Sequence, residues 1–125
     1  MGYTTEFSGH VAIQPEMSAA LAAEIREFAD MDSGHRPGHP RVGGMPDGYC
    51  QWTVPDGKSV LKWDGNEKFY DSVEWMRYLI EAFIKPAGLV ANGEIDASGE
   101  DSGDVWKLVV VDNVVTKRHG RVVFD

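Results

Sequence analysis

The sequence predicts an α+β fold, a two-layer sandwich with two helices on one face of an antiparallel sheet, and three observations carry that expectation. Apolar residues alternate with polar ones near the N-terminus, they recur at helical spacing in two later segments, and the elements run in the order β-α-β-β-α-β with further strand at the C-terminus. That order is the split, ferredoxin-like one.

In "YTTEFSGHVAIQP", Tyr3, Thr5, Phe7, Gly9, Val11 and Ile13 share one side, and Thr4, Glu6, Ser8, His10 and Ala12 share the other. A period of two marks a strand with one buried face. "SAALAAEIREFADM" repeats Leu21, Ile25 and Phe28 at helical spacing, and Ser18 stands where a side-chain oxygen can cap the first turn. Residues 32–48 hold five glycines and three prolines, too many breakers for a regular element, and are expected to form a long loop. "YCQWTV" and "SVLKW" flank "PDGK", in which Pro presets the first turn position and Gly tolerates positive φ, so the pair reads as a hairpin.

The second helix has Asp71 placed to cap it, Glu74 to complete a capping box, and Phe69 and Tyr70 to staple its start against Trp75. Pro86 and Gly88 end it. "VANGEIDASGE" reads as a weak strand, and "VWKLVVVDNVVTKRHGRVVF" as two or three strands turning at Asp112-Asn113 and at His119-Gly120.

A chain of 125 residues with 42% hydrophobic and 26% charged residues is expected to be one domain with its own core. No apolar run approaches the ~18 residues of a membrane span, and the opening residues lack a basic region followed by an apolar core, so a cytoplasmic protein is expected. The net charge of −8 repels nucleic-acid phosphates and anionic membrane surfaces, which argues against either as a direct partner. Cys50 is the only cysteine; it excludes an internal disulfide or a thiolate metal cage, and its strand-like flanks "GYCQWTV" suit a buried, inert thiol.

From Tyr49 to Thr116 the words "YCQW", "LKWDGNEKFY", "VEWMRYLIEAFIKP", "NGEIDASGED" and "KLVVVDNVVT", together with the opening "GYTTEFSGHVAIQP", resemble a family of small, functionally uncharacterised proteins of bacteriophages and bacterial genomes. The resemblance implies a phage or mobile-element setting, hence the host-cell cytoplasm and a role in the contest between phage and host. It brings no activity and no catalytic residue. This chain departs from the family pattern at Asp104-Val105-Trp106, where a Gly-containing word is usual, and in a shorter loop at 32–48.

Placed on a helical wheel, Val73, Met76, Leu79, Ile80, Phe83 and Ile84 form a core stripe, while Glu74, Arg77, Glu81 and Lys85 form a solvated arc of alternating sign. Trp75, Tyr78 and Ala82 fall nearly opposite the core. Trp75 and Tyr78 therefore read either as an exposed aromatic strip for a partner or a second copy of the chain, or as rings over which the long loop or the C-terminal strands fold.

"GEIDASGEDSGD" places Glu94, Asp96, Glu100, Asp101 and Asp104 close together, but without the residue order of a calcium loop, so a solvated acidic loop is the simpler reading. Asp64 and Glu67 beside Trp63 and Trp52 resemble a carboxylate pair with sugar-stacking rings, a pattern that any acidic protein shows by chance. His35 and His39 have metal-ligand spacing, but Pro37 and Gly38 remove the helix that would align them.

No catalytic residue, metal or cofactor is expected. The leading expectation is an interaction or inhibitor protein that binds a host component through an acidic, partly aromatic surface comprising Trp75, Tyr78, Trp52, Trp63, Glu94, Asp96, Glu100 and Asp101. The alternative is a nucleotide-type binding module, with Trp52, Trp63, Tyr70 or Trp106 stacking a base and Arg36, Arg41 and Lys62 meeting phosphate. An enzyme comes last.

Overall fold

The N-terminal alternation becomes β1 (Thr5–Gln14), which buries Phe7, Val11 and Ile13 and turns Glu6, Ser8 and His10 to solvent. The computed structural model describes residues 4–30, 50–55, 57–65, 69, 71–101 and 103–119. α1 (Ala19–Asp30) starts where Ser18 Oγ accepts the Leu21 N–H at 3.1 Å, and it buries Ala22, Ile25 and Phe28. That cap satisfies one of the donors left over at any helix start.

β2 (Trp52–Thr53) and β3 (Val60–Trp63) form the expected hairpin, in register Trp52 with Trp63. Its turn closes with Lys58 N–H donating to Pro55 O at 3.2 Å, and Gly57 takes the positive φ of 71° that only a residue without a Cβ adopts freely.

α2 (Ser72–Leu79) widens into a π-helical turn over Ile80–Ile84, where Lys85 N–H reaches back five residues to Ile80 O at 2.9 Å. Residues 74, 77, 81 and 85 stay exposed, and all the others from Ser72 to Ile84 are buried. β4 (Val90–Gly99), β5 (Val105–Val111) and β6 (Val114–His119) follow as an antiparallel meander. Asp112 and Asn113 turn the last hairpin with φ of 47° and 71°, the left-handed pair that matches strand twist.

The six strands make one antiparallel sheet in the order β2-β3-β1-β4-β5-β6. Among the described residues this is a mainly-β fold with two short helices, and not the ferredoxin-like two-layer sandwich that the element order predicts. Strand length makes the difference. The segment read as a weak strand is the ten-residue β4, paired with β1 along its whole length, and the β5–β6 hairpin carries the sheet two strands further. Against this, α2 keeps α-helical geometry for only eight residues.

One sheet face is buried. Phe7 sits at its centre, edge-on to Trp52 at 5.1 Å, Trp63 at 5.5 Å, Phe69 at 5.8 Å and Trp106 at 5.8 Å, the geometry that ring quadrupoles favour. Phe69 therefore packs against Phe7 and Trp52 and not, as a staple would, against Trp75.

The predicted capping box at α2 is also absent. Asp71 takes a left-handed conformation, φ 56° and ψ 35°, and makes no side-chain hydrogen bond to the helix start. Tyr70, the loop at 32–48 and Gly120 of the expected His119-Gly120 turn lie outside the described residues.

Candidate functional site

The aromatic half of the expected surface lies inside the molecule. Trp75 and Trp52 are fully buried and Tyr78 is 3% exposed, so of the two readings of Trp75 and Tyr78 the rings are covered and the exposed strip does not exist. α2 is covered twice: the sheet takes its core stripe, and α1 lays Phe28 against the opposite side, 6.1 Å from Trp75. Trp52 is tied further, its indole N–H donating to Ser72 O at 2.7 Å. Trp63 alone of the four predicted rings is partly exposed, with its indole N–H bonded to Gln51 Oε1 at 3.2 Å.

The acidic half is on the surface. In β4 the buried residues Ala91, Ile95 and Ala97 alternate with Asn92, Glu94, Asp96 and Ser98 on the opposite, open face of the sheet. Strand geometry puts neighbours on that face about 6.6 Å apart along the strand. Glu94 and Asp96 are largely exposed, and Lys107 on β5 reaches between them, 3.5 Å from Glu94 Oε2 and 3.7 Å from Asp96 Oδ1. Glu100 continues the line past the strand end, where its Oε1 accepts the Thr4 N–H at 2.7 Å. Asp101 accepts the Asp104 N–H through its main-chain oxygen at 3.0 Å, in the turn that joins β4 to β5.

The register adds residues that the sequence did not single out. Ser8 lies opposite Asp96, Glu6 opposite Ser98, and His10 opposite Glu94. Glu6, Ser8, Asp96, Ser98, Val105 and Lys107 line a shallow depression of about 390 Å³ across β1, β4 and β5. The alternation in "TEFSGHVAIQ" puts Glu6, Ser8 and His10 on one side, but only the pairing of β1 with β4 brings them to Asp96. The open face ends at Val90, Val111 and Val114, which are exposed.

Chemically, this face presents carboxylates, hydroxyls and one lysine at fixed spacing. Two carboxylates against one amine suit a cationic partner and repel a phosphate. Among the described residues, no group of three or more His, Cys, Asp or Glu is placed to hold a metal ion. Asp64 is exposed at the end of the β2–β3 hairpin, and its suggested partner Glu67 lies outside the described residues, as do His35, His39, Arg36 and Arg41. Lys62 is exposed on β3. Cys50 is buried, with its thiol 3.6 Å from Trp52 O. No helix among the described residues is long and apolar enough to cross a membrane. No protein-family model, curated protein sequence or solved structure matches this chain.

Proposed function

We propose that this protein is an interaction module that binds a basic surface of a host protein through the open face of its sheet, in the manner expected of an inhibitor encoded by a phage or mobile element. The observation that carries the reading is the pair of carboxylates on the open face of the central strand β4, Glu94 and Asp96, with Glu100 exposed just past its end and Asp101 exposed in the turn that follows. Such a set of acids on a chain of net charge −8 steers a cationic surface toward it and fixes its register. The buried rings contribute by stiffening the sheet and not by contact.

The test compares three forms of the whole chain in affinity capture from host extract: wild type, the double variant Glu94→Lys/Asp96→Lys, and Glu81→Lys on the helical face. The partner common to wild type and Glu81→Lys is then purified and its affinity measured. Loss of at least about tenfold for the double variant alone, with binding that weakens as salt rises, supports the proposal. Equal affinity for all three forms sinks it.

A further inference from the structure

We propose that the partner element docked by this protein is a basic amphipathic helix laid along the strands over β4 and β5, an inference that rests on the open face being the binding surface. To the carboxylates it adds a second contact, an apolar one.

The exposed large hydrophobic residues among those described are Val90, Val111 and Val114. All three belong to the open face. Val90 shares the outward alternation of β4 with Glu94 and Asp96, Val111 shares that of β5 with Lys107, and Val114 pairs directly with Val111. They gather at one end of that face, and Val109, nearly buried opposite Glu94, joins them to its middle. Single valines scattered over a surface need no explanation, whereas valines gathered beside Glu94 and Asp96 mark a place for a partner.

The form of that partner follows from the backbone. β1, β4 and β5 spend their main-chain groups on one another, Thr5–Gln14 against Val90–Gly99 and Gly93–Val110 against its neighbours through Ser98–Val105. The middle of the face therefore offers side chains alone. A single extended segment laid on it would leave its own N–H and C=O groups without partners, whereas a helix satisfies its own. Helices packed on a sheet are one of the few stable layer arrangements.

Spacing and charge give the helix its pattern. Successive side chains on one strand face stand about 6.6 Å apart, so the row of Glu94 lies one step from the Val111–Val114 row and that of Asp96 two steps, roughly 13 Å. A helix rises about 1.5 Å per residue, so an apolar side chain seated on the valines is followed by basic ones about 6 Å and about 12 Å further, at i+4 and i+8. Glu94 and Asp96 share the single amine of Lys107, which leaves one negative charge for the helix. Arg118, opposite Lys107 on β6, repels a cation there and turns the basic residues toward β4.

The probe is an Ala-rich synthetic peptide of about 18 residues with Leu at i and Lys at i+4 and i+8, compared with a scrambled peptide of identical composition. Each is titrated calorimetrically into the whole chain while amide resonances are followed. The patterned peptide is expected to saturate and to shift the amides of Glu94, Asp96, Val111 and Val114, with the scrambled one at least about tenfold weaker. Val111→Thr/Val114→Thr keeps β-branched side chains at exposed positions, so it reports on binding and not on folding. That pair and Glu94→Gln/Asp96→Gln are each expected to weaken binding by about tenfold, the acid pair losing its effect as salt rises and the valine pair keeping it.

Equal binding of the two peptides, no saturation at millimolar peptide, or indifference to the valine pair overturns the helix. Loss on the acid pair alone leaves a basic partner on the open face standing without the apolar contact, and indifference to both pairs removes the open face as the binding surface.

Discussion

Phe28 of α1 and Tyr78 of α2 stack face to face, with ring centroids 5.7 Å apart and planes 16° from parallel. The same Phe28 meets Phe83 edge-on at 5.2 Å and Trp75 edge-on at 6.1 Å, so one ring of the first helix packs against three rings on the side of α2 away from its core stripe. Phe28→Ala removes that cover and opens a cavity beside Trp75, Tyr78 and Phe83. A loss of about 3–5 kcal/mol in unfolding free energy is expected, with Phe28→Leu costing clearly less. Denaturant unfolding measures both, and a cost below ~1 kcal/mol for the alanine variant would show that α1 does not cover α2.

Burial also orders the tryptophans. Trp52 and Trp75 are inaccessible and Trp106 is 9% exposed, while Trp63 is only partly buried. Acrylamide is therefore expected to quench chiefly Trp63, and Trp63→Phe is expected to remove most of the quenchable fluorescence. If quenching persists undiminished in that variant, another indole is open to solvent.

Close approach of β1 and β4 rests on two glycines. A Cβ on Gly93 would stand 2.6 Å from His10 O and 2.8 Å from Val11 Cα, and one on Gly9, whose φ is 101°, would stand 2.8 Å from Glu94 O. Backbone cannot yield as a side-chain tip does. Gly93→Ala is expected to cost about 1–3 kcal/mol by forcing the central strand pair apart. Thermal unfolding with Ser98→Ala as a same-strand control separates this from a general effect of substituting β4.

Much of the local structure was legible, because it depends on neighbours in sequence. The phase of β1, the Ser18 cap, the turn at Pro55 to Lys58 and the left-handed pair Asp112-Asn113 all follow from residues a few positions apart. What the sequence hid depends on distant partners. A helical wheel has one core side, so it placed Trp75 and Tyr78 opposite the core, and nothing in residues 72–84 shows that Phe28 covers them. The pairing of Thr5 with Gly99, which lines up Ser8 with Asp96 and turns a weak strand into the centre of the sheet, is likewise invisible to periodicity. Glu94, Asp96, Glu100 and Asp101 were recognisable as exposed acids; the placement of Glu94 and Asp96 on one open face beside Lys107 was not.

Asn113 fastens the last hairpin to the start of β4. Its Oδ1 accepts the Ala91 N–H at 2.6 Å and its Nδ2 donates to Leu89 O at 3.1 Å, while its φ of 71° suits the turn. Asn113→Gly keeps the turn and loses the two side-chain bonds, an expected cost of about 1–3 kcal/mol. Asn113→Ala loses the bonds and also strains the left-handed backbone, adding about 1 kcal/mol. Chemical denaturation of the two variants decides, and a glycine variant less stable than the alanine variant would mean that turn geometry is not what the asparagine secures.

Lys107 separates its role in stability from its role in binding. Its amine lies between Glu94 and Asp96, but the three side chains are 49%, 57% and 67% exposed, so solvent screens both pairs. Lys107→Gln is therefore expected to change unfolding free energy by less than about 0.5 kcal/mol. Its effect on the proposed host partner has the opposite character: removing the one amine between the two carboxylates makes the open face more negative. Association with a basic partner is then expected to speed up and to depend more steeply on salt. Stopped-flow association at two ionic strengths measures both. Slower association of Lys107→Gln would mean that the partner offers an acid to Lys107, and binding through the carboxylates of β4 would have to be abandoned.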